Sequence, residues 1–157
     1  MDKDITFEDK LWKAADKLRK KVEVHEYKYV VLGLLFLRYL SYRYNLAKSE
    51  LQKEFSDPKS DKYIPDENLR KQALEDEDHY LSIGVIPVPE RASWEFIAKN
   101  ANQPNIGEIL DSAVEELERR YPKQLKDVIP KKFNSIKLDH HDYAYLINLF
   151  TTIEFGI

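Results

Sequence analysis

Residues 29–37 read Tyr29-Val30-Val31-Leu32-Gly33-Leu34-Leu35-Phe36-Leu37, an apolar run with Lys28 before it and Arg38 after it. A membrane-spanning helix needs ~20 apolar residues, so this run is too short to cross a bilayer. It lies within a helical pattern that extends from about residue 26 toward residue 54. Because its apolar side chains occupy every side of the helix, we expect other helices to surround it. The run therefore predicts a long central helix in a bundle, and we expect Gly33 to let a neighbouring helix approach closely.

Amphipathic helices are predicted on either side of this central helix. Thr6 is a suitable N-cap for the first one, and its apolar stripe recurs at helical spacing at Phe7, Leu11, Ala14 or Ala15, and Leu18. After Pro104, a seam with steps of four, three and four residues is formed by Ile106, Leu110, Ala113 and Leu117. A last helix begins near Asp139 and carries Tyr143, Leu146, Ile147, Phe150 and Ile153.

The middle of the chain is less regular. Residues 66–78 predict one polar helix that packs weakly, and Ser93 is a suitable cap for a short helix after it. Pro87 and Pro89 restrict the stretch 83–89 to an edge strand or an extended connector, because proline cannot donate to a sheet. The predicted fold class is therefore all-α: a multi-helix bundle around a long central apolar helix, with at most one short edge strand or extended connector near residues 83–89.

The composition agrees with a single helical domain of 157 residues. Hydrophobic residues make up 43% and charged residues 34%, and the 4 glycines are too few for the turns of a β-sandwich or barrel. The absence of cysteine excludes disulfides, cysteine nucleophiles and thiolate metal sites. The N-terminus, Met1-Asp2-Lys3-Asp4, lacks the apolar stretch of a signal peptide. These features predict a cytoplasmic protein.

Four segments of the chain, taken together, resemble one known family. The first two are Phe7-Glu8-Asp9-Lys10-Leu11-Trp12-Lys13-Ala14-Ala15-Asp16-Lys17-Leu18-Arg19 and Glu26-Tyr27-Lys28-Tyr29-Val30-Val31-Leu32-Gly33-Leu34-Leu35-Phe36-Leu37-Arg38-Tyr39-Leu40-Ser41. The other two are Val88-Pro89-Glu90-Arg91-Ala92-Ser93-Trp94 and Asn105-Ile106-Gly107-Glu108-Ile109-Leu110-Asp111. In this order they are similar to the N-terminal helical domain of the modification (M, HsdM-type) subunit of type I restriction–modification systems, a DNA adenine-N6 methyltransferase.

The resemblance implies a function in S-adenosylmethionine-dependent adenine-N6 methylation of double-stranded DNA, which protects the host genome. In that family, two M subunits assemble with one specificity subunit, and a restriction subunit joins the full complex. A Rossmann-like catalytic domain follows the helical domain and carries a glycine-rich cofactor loop and an Asn/Asp-Pro-Pro-aromatic motif. Residues 1–157 contain neither motif, since the glycines stand apart and no Pro-Pro pair occurs. We therefore expect a fragment or truncated gene product that binds no cofactor or metal and transfers no methyl group by itself.

The charge distribution favours a DNA-contacting function for such a domain. Residues 1–54 hold 12 Lys/Arg and 9 Asp/Glu, whereas residues 55–90 hold 4 and 9. The candidate DNA-phosphate contacts are Lys13, Lys17, Lys20, Lys21 and Arg43, and a solvated charged face is the alternative interpretation. Aromatic residues carry much of the binding energy at protein interfaces, so the candidate subunit-interface anchors are Trp12 and Trp94, with core packing as the alternative.

Three other clusters point to chemistry less specifically. The acidic run Glu75-Asp76-Glu77-Asp78-His79 lacks the alternating ligand positions of a calcium loop. The neighbours in His140-His141-Asp142 point ~100° apart on a helix, so capping by Asp139 explains that segment better. Ser93 has no local histidine–acid partner for nucleophilic catalysis. Two further hypotheses stay open: a free-standing helical protein–protein interaction module without a nucleic-acid role, and a small enzyme that uses the acidic run and the histidines.

Overall fold

The computed structural model describes residues 6–129 and 132–155, and every regular element in these ranges is helical. The predicted all-α class is therefore confirmed, and residues 85–89 form an irregular connector. No helix in the described ranges combines the length and apolarity needed to cross a membrane. The helices are α1 (Phe7–Arg19), α2 (Val24–Ser56), α3 (Glu67–Leu74), α4 (Glu77–Ser82), α5 (Trp94–Lys99), α6 (Ile106–Arg120), α7 (Pro122–Leu125) and α8 (His140–Thr151), with a 3₁₀ turn at Glu90–Ala92 between α4 and α5.

Two helices begin at the caps that the sequence predicts. The Asp9 N–H donates to the Thr6 hydroxyl over 3.1 Å at the start of α1. The Phe96 N–H donates to the Ser93 hydroxyl over 3.2 Å at the start of α5. Because the first N–H groups of a helix have no partner within the helix, such side-chain acceptors fix where it starts. The capping function of Ser93 is thereby confirmed.

The chain forms two compact units. The first unit consists of Met1–Tyr39 and Pro89–Ile157, so it is assembled from two separate stretches of sequence. The second unit is the continuous segment Leu40–Val88. Helix α2 contributes residues to both units. The grouping of residues 1–157 into one domain stays a prediction.

The core of the first unit contains the apolar stripes of α6 and α8, and α8 packs against α1, α5 and α6. Of the predicted stripe of α1, Ala14 and Leu18 are buried, whereas Phe7 is 44% exposed. The predicted seam of α6 is confirmed, since its four members are at most 1% exposed. The predicted stripe of α8 is confirmed as well. Its buried members are Tyr143, Leu146, Ile147, Phe150 and, just after the helix, Ile153. Helical periodicity alone therefore identified the side chains that α6 and α8 contribute to this core.

The apolar run of α2 is not covered on every side within the described residues. Val30, Leu34 and Leu37 are at most 1% exposed, whereas Leu32 is 56% exposed. Leu32 follows Val30 by two residues, so it points ~200° away from it around the helix. The expected central position of α2 is therefore not confirmed, and the run leaves an apolar face exposed.

Gly33 allows a close approach, but its neighbour is an aromatic ring and not another helix. A Cβ atom on Gly33 would lie 2.6 Å from Cζ of Phe133, which lies in the segment between α7 and α8. Phe133 is 2% exposed, and its N–H donates to the Asp111 carboxylate over 3.0 Å. Its carbonyl accepts the Tyr143 hydroxyl. Phe133 is thus held on both sides of its backbone and has little room to move.

Substituting alanine for Gly33 is expected to lower the free energy of unfolding. Overpacking costs about 1–3 kcal/mol, which exceeds the ~1 kcal/mol that alanine gains over glycine in helix propensity. The measurement is urea unfolding followed by circular dichroism. The matched control is the double variant Gly33→Ala/Phe133→Leu, whose smaller side chain makes room for the new methyl group. A single variant that equals or exceeds the wild type in stability would contradict this account of the contact.

The second unit has its own small core, which consists of Ala47, Leu51, Phe55, Tyr80 and Val85. The Tyr80 hydroxyl donates to the Leu74 carbonyl over 2.6 Å, and burial raises the pKa of Tyr80 to about 12. The single polar helix predicted over residues 66–78 is wrong, because two short helices, α3 and α4, replace it. Asp76 interrupts it, since its carboxylate accepts the Asp78 N–H over 3.1 Å and caps a new helix.

Candidate nucleic-acid interface

One side of α1 carries a strip of exposed lysines. Lys13, Lys17 and Lys20 are exposed, and their spacing of four and three residues places them within about 60° of the helix circumference. We call these three residues the lysine strip. No carboxylate of the described ranges forms an ion pair with them, and the nearby Asp16 pairs with Arg19 at 3.2 Å instead. The strip therefore presents three positive charges that no carboxylate among residues 6–129 and 132–155 pairs with.

Three contacts hold α1 against α8. The Lys10 ammonium donates to the Thr152 carbonyl over 2.6 Å, and Lys10 is only 8% exposed. The Lys17 ammonium lies 5.1 Å from the centre of the Tyr145 ring, a distance typical of a cation–π contact. The earlier residue, Lys10, contacts position 152, and the later residue, Lys17, contacts position 145. The two helices are therefore antiparallel. This pairing fixes the direction in which the lysine strip faces.

Lys21 makes the third contact, and it uses its charge within the fold. Its ammonium donates to Asp142 over 2.6 Å, and the Asp142 side chain is 3% exposed while that of Lys21 is 43% exposed. The hydrogen bond to Asp142 raises the pKa of Lys21 above its ordinary value. Of the predicted DNA-phosphate contacts, Lys21 thus lies beside the strip, but its charge is already balanced by a buried carboxylate.

The same carboxylate belongs to the cap of α8. The Asp142 N–H donates to Asp139 over 3.0 Å, and the Asp139 N–H donates back to Asp142 over 3.2 Å. The first of these bonds holds the pKa of Asp139 below its ordinary value. Capping of α8 by Asp139 is therefore confirmed. The expectation that the rings of His140 and His141 point apart is wrong, because their centroids lie 4.1 Å from each other.

A polar cavity of about 480 Å³ lies beside Lys20 and Lys21. It also contains Lys137, which sequence analysis missed because 116 positions separate it from Lys21 and no local spacing connects them. Two carboxylates line the same cavity, those of Glu23 and Glu26. They reduce the positive potential there. The exposed lysine strip on α1 is thus a better candidate for phosphate contact than the cavity.

Three predicted residues remain. Arg43 belongs to the second unit, and its contact with DNA phosphate stays a prediction. Trp12 is 59% exposed, as a candidate interface anchor should be, whereas Trp94 is 3% exposed. The Trp94 ring N–H donates to the Thr151 hydroxyl over 2.9 Å. The burial of its ring inside the first unit therefore favours the core-packing alternative for Trp94.

Comparison with known proteins gives two matches. A sequence model of the family described as the HsdM N-terminal domain matches residues 7–150. The chain is also 56% identical over 150 residues to the protein named Type I restriction enzyme MjaIX methylase subunit, from Methanocaldococcus jannaschii. The alignment covers 96% of this chain but only 27% of that relative, so the chain spans about a quarter of the relative's length.

Proposed function

Because this chain belongs to the HsdM N-terminal domain family, we propose that it contacts the backbone of double-stranded DNA as part of a type I restriction–modification methylase subunit. The observation that carries this proposal is the lysine strip on α1, three exposed cations that have no ion-pair partner in the described ranges. Phosphate contacts of this kind give sequence-independent affinity. The reading of the target sequence is left to another subunit.

Under this proposal, the domain helps to hold the duplex while adenine is extruded for methylation. A methyltransferase must extrude adenine from the duplex, which costs a few kcal/mol. Lysines that approach the phosphates release counterions and offset part of that cost. Since Lys10 and Lys21 hold α1 against α8, the helix that carries the strip needs little further ordering on binding.

Methyl transfer itself is proposed to take place outside these residues. S-adenosylmethionine needs a cofactor loop, and the flipped adenine needs an Asn/Asp-Pro-Pro-aromatic motif, and residues 1–157 contain neither. The proposed partners are double-stranded DNA, a specificity subunit, a second modification subunit and, in the full complex, a restriction subunit. The match to a relative named as a methylase subunit supports these assignments.

The test is a salt titration of DNA binding by the triple variant Lys13→Gln/Lys17→Gln/Lys20→Gln. We expect the slope of log K against log salt to become shallower by about 2–3, because each lost phosphate contact removes about 0.9. Fluorescence anisotropy of a labelled duplex measures it. The matched control is Lys99→Gln/Lys123→Gln/Lys126→Gln, which removes three exposed lysines of the same unit.

Equal slopes for the two triple variants would contradict the phosphate-contact model. They would favour the alternative function, a helical protein–protein interaction module without a nucleic-acid role. Binding that does not weaken as salt is added would contradict the proposal too, since the contacts invoked are electrostatic.

A further inference from the structure

The solvent-facing side of α8 carries a row of polar side chains. His141, Tyr145 and Asn148 are exposed, and their spacing of four and three residues places them within about 60° of the helix circumference. We refer to these three residues as the donor row, because an imidazole, a phenol and a side-chain amide each have a hydrogen to donate. The buried stripe of α8 occupies the other side of the helix, so the donor row faces away from the core.

The donor row lies beside the lysine strip of α1. The Lys17 ammonium lies 5.1 Å from the centre of the Tyr145 ring, and this contact joins the middle members of the two sets. Both sets have the same spacing of four and three residues. Because α1 and α8 are antiparallel, the outer members of the two sets also lie about level with one another. The strip and the row thus form one continuous surface of the first unit.

The donor row has donors to offer and little negative charge around it. Within residues 6–129 and 132–155, neither the Tyr145 hydroxyl nor the Asn148 side-chain amide donates a hydrogen bond to another residue. Asp142 is the acidic residue of α8, and it is only 2% exposed. Asp139 lies at one end of the row, just before the helix, where it accepts the Asp142 N–H. An anion can therefore approach Tyr145 and Asn148 without meeting an exposed carboxylate of this helix.

We propose that the donor row on α8 extends the DNA contact of the lysine strip by donating hydrogen bonds to phosphate oxygens of the same duplex. This inference rests on the proposed DNA contact of α1. Tyrosine and asparagine side chains commonly donate to DNA phosphates, and the charge of the acceptor strengthens such bonds. Neutral donors release no counterions. The strip therefore supplies the part of the affinity that depends on salt, and the row supplies a part that salt does not change.

The test is a salt titration of duplex binding by Tyr145→Phe/Asn148→Ala, measured by fluorescence anisotropy of the labelled duplex. We expect Kd to rise by about 10-fold at every salt concentration with the slope of log K against log salt unchanged, because hydrogen bonds are lost but no charge is. Tyr145→Phe keeps the ring that Lys17 contacts. A matched control is Tyr63→Phe/Asn68→Ala, the same two changes at exposed positions of the second unit, which should bind like the wild type. Circular dichroism checks that both variants are folded.

Comparison with the triple lysine variant separates this inference from the proposed function. If the double variant on α8 binds like the wild type while the lysine variant has a shallower slope, the strip contacts DNA and the donor row does not. If the double variant itself makes the slope shallower, its loss does not come from neutral hydrogen bonds, and the inference is wrong. A 10-fold loss in the double variant together with an unchanged slope in the lysine variant keeps the contact of α8 and rejects that of the strip. A wild-type chain that does not bind the duplex overturns both.

Discussion

Replacing Trp94 with alanine is expected to lower the free energy of unfolding by about 3–5 kcal/mol, the usual cost of truncating a buried aromatic side chain. Trp94 is 3% exposed, and its ring N–H is bonded to the Thr151 hydroxyl over 2.9 Å. That hydroxyl in turn donates to the Ile147 carbonyl over 2.7 Å. The substitution therefore leaves a cavity beside α8 and removes one link of a hydrogen-bond chain.

Urea unfolding followed by far-ultraviolet circular dichroism measures this loss. The matched control is Trp12→Ala at the other tryptophan, which is 59% exposed and should change stability by no more than about 0.5 kcal/mol when the chain is monomeric. Trp94→Phe keeps most of the buried ring and should cost about 1 kcal/mol for the lost hydrogen bond. If the two alanine variants were equally stable, the assignment of Trp94 to the core would be wrong.

Replacing Asp142 with alanine is expected to cost about 2–4 kcal/mol of stability. Its buried carboxylate accepts the Lys21 ammonium over 2.6 Å and the Asp139 N–H over 3.2 Å. Removal of the carboxylate leaves the Lys21 ammonium without its partner on α8. It also removes one of the two hydrogen bonds between Asp139 and Asp142 that cap this helix. The cost stays below that of a fully buried pair because Lys21 is partly exposed and can be hydrated by water.

Two variants and a pH series separate these contributions. Asp142→Asn keeps an acceptor oxygen and should cost less stability than Asp142→Ala. Asp16→Ala removes a carboxylate that is 67% exposed and should have little effect.

The pKa of Asp139 is lowered in the fold. Its contribution to stability is therefore present above its ordinary pKa and is lost as the solution becomes acidic. The pKa of Lys21 is raised, so its contribution is present at neutral pH and is lost in strong alkali. If Asp142→Ala and Asp16→Ala were equally stable, the Asp142 carboxylate would not stabilise the fold through Lys21 and Asp139.

The helices were predictable from the sequence because their determinants are local. Apolar spacing identified the buried residues of α6 and α8, and Thr6, Ser93 and Asp139 identified three helix starts. The break between α3 and α4 was missed, because Asp76 is one of four consecutive acidic residues and nothing in the composition distinguishes a cap from a solvated charge. Local patterns therefore predict most helices but not every boundary.

Features that join distant residues were not predictable. No spacing rule connects Gly33 to Phe133, or Lys21 to Asp142 and Lys137. The same is true of the two tryptophans, since both follow helix caps in helical patterns and only the packing of α8 buries one of them. Of the candidate site, the sequence predicted the lysine strip on one face of α1. The pairing of Lys21 with Asp142 is visible only in the structure.

The contact between Lys10 and Thr152 has a consequence for the order of events during synthesis. The two residues are 142 positions apart, so the first unit cannot close before nearly the whole of this chain has left the ribosome. The second unit is continuous from Leu40 to Val88, and its core residues emerge together and much earlier. Long-range closure of this kind slows folding. Until residue 152 has emerged, the side of α1 that packs against α8 stays uncovered, and transiently exposed apolar surface of this kind favours aggregation.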